Sequence, residues 1–226
     1  MIRAVVVETE TPRPQPGSHS GLAILLSNGI AIAVAYWQNW DLRPLLVIYW
    51  CQSVIIGVFN FLRMVRLRRF STEGFTSNGE PVPETSQGKW STAIFFAFHY
   101  GFFHLGYLVF VAGVVFGGQG ASTFGGPWKP DGLDLLWLVV GVGAFLGSHW
   151  FSFRRNVEAD LAGRPNIGTM MFLPYARIVP MHLTIILGFW MGSNRGALML
   201  FLVLKTGADF LMHVVEHKVM QKYAAR

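Results

Sequence analysis

An all-α fold, a polytopic transmembrane helical bundle of six spans with both termini in the cytoplasm, is what this sequence predicts, and three observations predict it. Hydrophobic residues make up 52% of the chain and charged residues only 13%, about half the charge share of a soluble domain. Six stretches are apolar for roughly the 20 residues that a bilayer demands. Lys and Arg fall almost wholly in alternate connections between those stretches. A soluble domain of 226 residues could be this apolar only by burying helix after helix on all sides, which its surface-to-volume ratio forbids.

Each element follows in order. Residues 1–20 carry Glu8, Glu10 and the series Pro12, Pro14, Pro16 ahead of any long apolar run, so they read as a cytoplasmic arm and match a cleavable signal peptide poorly. Residues 21–217 form the membrane domain, with spans near 21–37, 45–65, 91–116, 133–153, 170–191 and 196–217. The single cysteine, Cys51, lies inside the second span, where a buried inert thiol is expected and no intramolecular disulfide can form. A cytoplasmic loop, 66–90, is rich in Ser, Thr, Gly, Glu and Pro and reads as a flexible connector. The Gly- and Pro-rich stretch 117–132 is the main outer loop, and residues 218–226 form a cytoplasmic tail.

Orientation comes from the basic residues. One side receives Arg3, Arg13, Arg63, Arg66, Arg68, Arg69, Lys89, Arg154, Arg155, Arg164, Lys218, Lys222 and Arg226; the other receives Arg43, Lys129 and Arg195. The positive-inside rule puts the first side in the cytoplasm. The run Arg63-Met-Val-Arg-Leu-Arg-Arg69 abuts a span, so anionic lipid headgroups satisfy it and no nucleic-acid partner is called for. Trp37, Trp40, Trp128, Trp137 and Trp190 fall near the outer boundary, and Trp90 and Trp150 near the inner one, as interfacial anchors do.

Ionisable groups at membrane depth are costly and mark function by default. Here they are His99 and His104 in span three, His149 in span four, Arg177 and His182 in span five, and Lys205, Asp209, His213, Glu216 and His217 in span six. At 1.5 Å rise per residue from the cytoplasmic helix ends, His149 and His213 lie about 7 Å deep, Arg177 about 10 Å, and His99 and Asp209 about 12–13 Å. His182, His104 and Lys205 lie about 18–20 Å deep on the same ruler. Asp209 and His213 are one turn apart and share a helix face, so they can grip one ion together. His99 and His104 are about 140° apart, so a straight helix aims only one at a common centre, and depth favours His99. Pro180 stands between Arg177 and His182 and leaves their relative direction open.

Imidazoles and a carboxylate in a dry interior make a favourable transition-metal site. The expected ligands are His99, His149, His182, Asp209 and His213, with zinc first and iron or copper as alternatives. Arg177 and Lys205 are expected beside it, for a small anionic substrate or as partners of the ligands. The string His213-Val-Val-Glu216-His217 has the H-x-x-E-H order of inverzincin proteases, but it ends a membrane helix without their large soluble domain, and a solvated helix end explains Glu216 and His217 better. For any one membrane histidine, a hydrogen bond between helices is the commoner role.

The strings Tyr49-Trp50 with Ile55-Ile56-Gly57-Val58-Phe59-Asn60, His99-Tyr100-Gly101, Ser148-His149 with Ser152-Phe153, Arg177 with His182-Leu-Thr-Ile-Ile-Leu-Gly188, and Lys205-Thr206 with Asp209, His213 and Glu216-His217 carry a resemblance. Over roughly residues 20–220 the chain resembles a bacterial integral membrane family classified only as a domain of unknown function. The resemblance implies a six-helix, multi-pass protein of the bacterial inner membrane and supplies no activity. Members often carry an acidic residue near the position of Gln52; the amide here removes one proton acceptor or ligand.

Two function classes follow. In the first, the protein is a membrane metalloprotein with its His/Asp site in the cytoplasmic half of the bundle, an enzyme if a coordination position stays open. In the second, the same groups relay protons or metal ions in a transporter or channel, which discontinuous helices at Pro174 and Pro180 would favour. A packing scaffold for a partner protein is the bland third case. The expected partners are the lipid bilayer, a small anion or ion, and a second copy of the chain in a homo-oligomer.

Overall fold

The computed structural model describes residues 19–117, 127–191 and 194–224. Within them the chain is helical almost throughout. Helices α1 (His19–Trp37), α2 (Leu42–Arg66), α3 (Ser86–Phe116) and α4 (Gly132–Ala162) are followed by a short α5 (Ile167–Phe172), a 3₁₀ segment (Leu173–Arg177), α6 (Ile178–Met191) and α7 (Asn194–Ala224). A two-stranded hairpin, β1 (Thr76–Ser77) and β2 (Glu80–Pro81), stands between α2 and α3.

Local chemistry sets the helix ends. The Asp41 carboxylate accepts from the Arg43 backbone N–H, and Thr85 caps α3 through the N–H of Gly88. Asp131 and Asp134 form a reciprocal capping box on α4, and Asn166 caps α5 through the N–H of Thr169. Lys89 Nζ donates to the Val65 and Leu67 carbonyls at the exit of α2, which satisfies acceptors that a helix end leaves unpaired.

Four runs are long and apolar enough to cross a membrane: Leu42–Arg66, Ser86–Phe116, Gly132–Ala162 and Ile167–Leu187. Their outward faces are apolar. Phe102 is 75% exposed, Val109 69% and Trp137 68%, and within the apolar window of α4 no position is buried. Contiguous apolar surface on this scale has lipid as its natural solvent, so the protein is read as a membrane protein.

The core forms where α2, α3, α6 and α7 meet. α2 packs on α3 and α4, α6 on α7, and α1 on α7. Tyr49 of α2 meets Phe201 of α7 edge to face at 5.2 Å between ring centres. Gly57 lets α2 close on α3, because a Cβ there would overlap the Tyr100 ring. At one end of the bundle Arg195 of α7 lies over the Tyr36 ring of α1 at 4.1 Å and donates to the Tyr36 carbonyl.

The other end corrects one expectation. Residues 67–85 are folded, in place of the flexible connector that their composition suggests. Asn78 and Gly79 both take positive φ, 53° and 85°, the pair of conformations a two-residue hairpin turn requires. The segment then docks on the α4–α5 connection. Ser71 exchanges backbone bonds with Pro165 and Ile167, and the Asn166 amide donates to the Glu73 carbonyl. Arg164 donates to the Phe70 carbonyl and pairs with Glu84, whose other oxygen takes the Thr72 N–H. Arg63 of α2 holds Asp160 of α4 in a two-pronged pair at 2.7 and 3.0 Å.

Candidate functional site

The interior of the bundle is organised by α3. Tyr100, His104 and Tyr107 are spaced four and three residues apart, so they line one helix face. Tyr100 and His104 stack at 4.2 Å between ring centres, and His104 meets Tyr107 edge to face at 6.0 Å. Tyr175, from the 3₁₀ segment, contacts Tyr100 at 5.4 Å and His99 at 5.6 Å, while His182 of α6 meets Tyr107 at 6.1 Å. The result is a ladder of imidazole and phenol rings: His99, Tyr175, Tyr100, His104, Tyr107, His182.

Hydrogen bonds fix its rungs. His99 Nδ1 and the Tyr175 hydroxyl are 2.8 Å apart, and the Tyr107 hydroxyl and His182 Nδ1 are 3.1 Å apart. Tyr100 donates its hydroxyl to the Ser53 carbonyl at 2.9 Å, and Trp50 donates its indole N–H to the His104 carbonyl at 2.9 Å. His104 Nδ1 lies 2.9 Å from the Tyr100 carbonyl, which can only accept, so Nδ1 carries the proton. Its Nε2 lone pair is then bare. That atom is buried without a partner, as is the Ser53 hydroxyl on the facing helix. Buried polar atoms are rarely left so in finished structures unless water or a ligand serves them.

The break in the apolar run Ile167–Leu187 builds this arrangement. Pro174 sits at the start of the 3₁₀ segment, and Pro180 falls in the first turn of α6, where a missing N–H costs no helical bond. The apolar stretch is thus two helices joined by a tighter turn, and the turn carries Tyr175 to α3. A buried Thr184 hydroxyl returns to the Pro180 carbonyl at 2.7 Å.

At the hairpin end the ladder opens on a cavity of about 680 Å³. Phe75 and Val82 of the hairpin segment, Phe95 and His99 of α3, Phe172 of α5 and Tyr175 of the 3₁₀ segment wall it. At the opposite end, buried Val111, Val114 and Val115 of α3 close the bundle with apolar side chains.

The residues singled out from the sequence fall in four places. His99 and His182 are on the ladder, each bonded to a tyrosine. Lys205 and Asp209 form an ion pair on α7 at 2.5 Å, both partly buried. His149 stacks on Phe145 at 4.1 Å in α4, a helix that packs chiefly on α2. The side chains of Arg177, His213, Glu216 and His217 lie outside the described residues, although the α7 backbone runs unbroken through Asp209 and His213. Among the described residues, no three His, Cys, Asp or Glu side chains come together as a metal site would require. His104, set aside in favour of His99 on depth, is the buried histidine of the pair, 4% exposed. Of the tyrosines, Tyr100 enters from sequence only within a family string, and Tyr107 and Tyr175 are not singled out. The signal for them was present in the helical spacing of Tyr100, His104 and Tyr107 on an otherwise apolar segment.

The profile of a family of unknown function, DUF6498, matches residues 10–226. The chain belongs to that family. No curated protein and no solved structure matches it. Membership of DUF6498 bears out the resemblance to a family of unknown function and leaves the chemistry to the ladder and its surroundings.

Proposed function

We propose that this protein is a proton-conducting transporter of the bacterial inner membrane, with six spans and both termini in the cytoplasm, in which the His–Tyr ladder carries protons between the cavity and the middle of the bilayer. The observation that carries the proposal is the unbroken run of imidazole and phenol rings from His99 to His182 at an interrupted span, hydrogen-bonded His to Tyr at each end. Neutral imidazole both accepts and donates, and a phenol passes a proton by rotating its hydroxyl. The apolar layer of Val111, Val114 and Val115 supports a transporter over an open channel, since the path must be completed by movement at the 3₁₀ segment. Span five supplies the discontinuity that such proteins place at their binding sites.

Reconstitution in liposomes with a trapped pH dye tests this. Imposing a potassium diffusion potential should acidify the interior faster than in protein-free liposomes, with a rate that saturates as the outside pH falls. Equal rates in both preparations would refute the proposal.

A transition-metal site is the second proposal, favoured by the one-turn spacing of Asp209 and His213 on the unbroken α7. In it His99, His149, His182, Asp209 and His213 contribute ligands, and Arg177 and Lys205 face an anion. Elemental analysis decides: Asp209→Ala and His213→Ala should each lower the metal content far more than His19→Ala does. Equal content in all three removes it.

A further inference from the structure

We propose that the cavity at the hairpin end is a binding site for an uncharged, ring-bearing lipophilic molecule with a carbonyl edge, of the quinone type. The inference goes beyond the relay and does not depend on it.

Size sets the first bound, because about 680 Å³ is the volume of a pocket for a drug-sized ligand. Charge sets the second. None of the residues lining the cavity is charged. Of the charged groups close by in the chain, Glu84 pairs with Arg164 and Lys89 donates to the carbonyls that end α2, while Glu73 and Glu80, two residues from Phe75 and Val82, carry the sign that repels an anionic head. A phosphate or carboxylate head would enter without a counter-charge, at the cost that burial of any unpaired ion carries. The ligand is therefore neutral.

Shape and hydrogen bonding narrow it further. Phe75, Phe95 and Phe172 line the cavity, Phe75 and Phe172 meet edge to face at 6.3 Å, and Phe95 stacks on His99 at 5.1 Å with 17° between the ring planes. A flat ring fits between such walls with stacking geometry on offer. The His99–Tyr175 pair is the polar end of the cavity. If the phenol donates to Nδ1, then His99 Nε2 carries a proton; if Nδ1 donates, the phenol proton is available. Either tautomer offers one donor, which a ring carbonyl accepts. The Ser77 hydroxyl at the wall can serve a second oxygen. The exterior of α3 is apolar, with Phe98 and Phe102 77% and 75% exposed, which suits a ligand that partitions into the bilayer.

Isothermal titration of the detergent-purified chain with decyl-1,4-benzoquinone tests the site, with oleate and dioleoyl phosphatidylglycerol as charged competitors. The expected result is saturable binding at one site, abolished in Ser91→Trp and weakened about tenfold in His99→Phe and Tyr175→Phe. His182→Phe, at the far end of the ladder, should bind as the wild type does. Should the melting curve of Ser91→Trp show a fold defect, Thr76→Trp on the hairpin wall provides the same block. Three outcomes would each overturn the assignment: no saturable binding, undiminished binding in the blocked variants, or displacement of the quinone by oleate or the phospholipid at equal concentration.

Discussion

At the scale of single residues, close fit decides what the polar groups can do. Gly57 admits the Tyr100 ring against α2, and Tyr100 in turn carries the His104 hydrogen bond. Gly57→Val should therefore destabilise the protein by about 1–3 kcal/mol, the usual cost of overpacking a tight contact. Melting in detergent reads this, and a loss below about 0.5 kcal/mol would show that Tyr100 yields without strain. The Lys205–Asp209 pair behaves in the opposite sense. With the side chains 29% and 21% exposed, removing one partner leaves the other charge half-buried and alone. Lys205→Met should then cost more stability than the double change Lys205→Met with Asp209→Leu, which leaves neither charge behind. An additive result in the double-mutant cycle would mean that the two side chains do not couple.

Individual elements show where sequence and structure part. The apolar runs marked the helices well because an 18-to-20-residue hydrophobic stretch has few other uses. Three helices outrun their apolar stretches: α3 starts at Ser86 because Thr85 caps it there, α4 continues through polar residues to Ala162, and α7 runs on to Ala224. The hairpin segment was misjudged because composition spoke for a loop while the dipeptide Asn78-Gly79 spoke for a turn. The ladder was half legible. Depth along a helix is readable from 1.5 Å steps, but the rotational setting of a helix that is apolar on every side is not, so the histidines were found and their tyrosine partners were not.

The hairpin segment also carries a pH dependence. The Arg164 side chain holds the Glu84 carboxyl below its ordinary value of 4.5, helped by the Thr72 N–H. A depressed carboxyl pKa adds stability above the unfolded-state value and loses it as pH falls through the folded-state value. Docking of residues 67–85 should thus loosen only below pH 4.5. Amide protection in that segment, the exchange rate set against its intrinsic value at each pH, should fall there in the wild type, whereas Glu84→Gln should show the looser pattern at neutral pH already. Protection lost instead between pH 6 and 8, the histidine range, would assign the contact to a different group.

For the molecule as a whole, the helices alternate in direction and place the hairpin, the α4–α5 connection and the end of α7 at one end of the bundle. That end also holds most of the Lys and Arg, so a reporter fused after Arg226 should register as cytoplasmic; an external signal would invert the bundle and put the cavity on the outer side. In the proposed transporter, the cavity would join a ladder of exchangeable protons that stops at an apolar layer. The central claim is that protons use the ladder, and Tyr107 is its most discriminating rung, because Tyr107→Phe keeps the ring and removes only the hydroxyl that meets His182 at 3.1 Å. Voltage-driven proton uptake by liposomes carrying this variant should fall about tenfold or more relative to wild type while its melting temperature stays within a few degrees. Uptake by Tyr107→Phe equal to that of the wild type would contradict the ladder as the proton path.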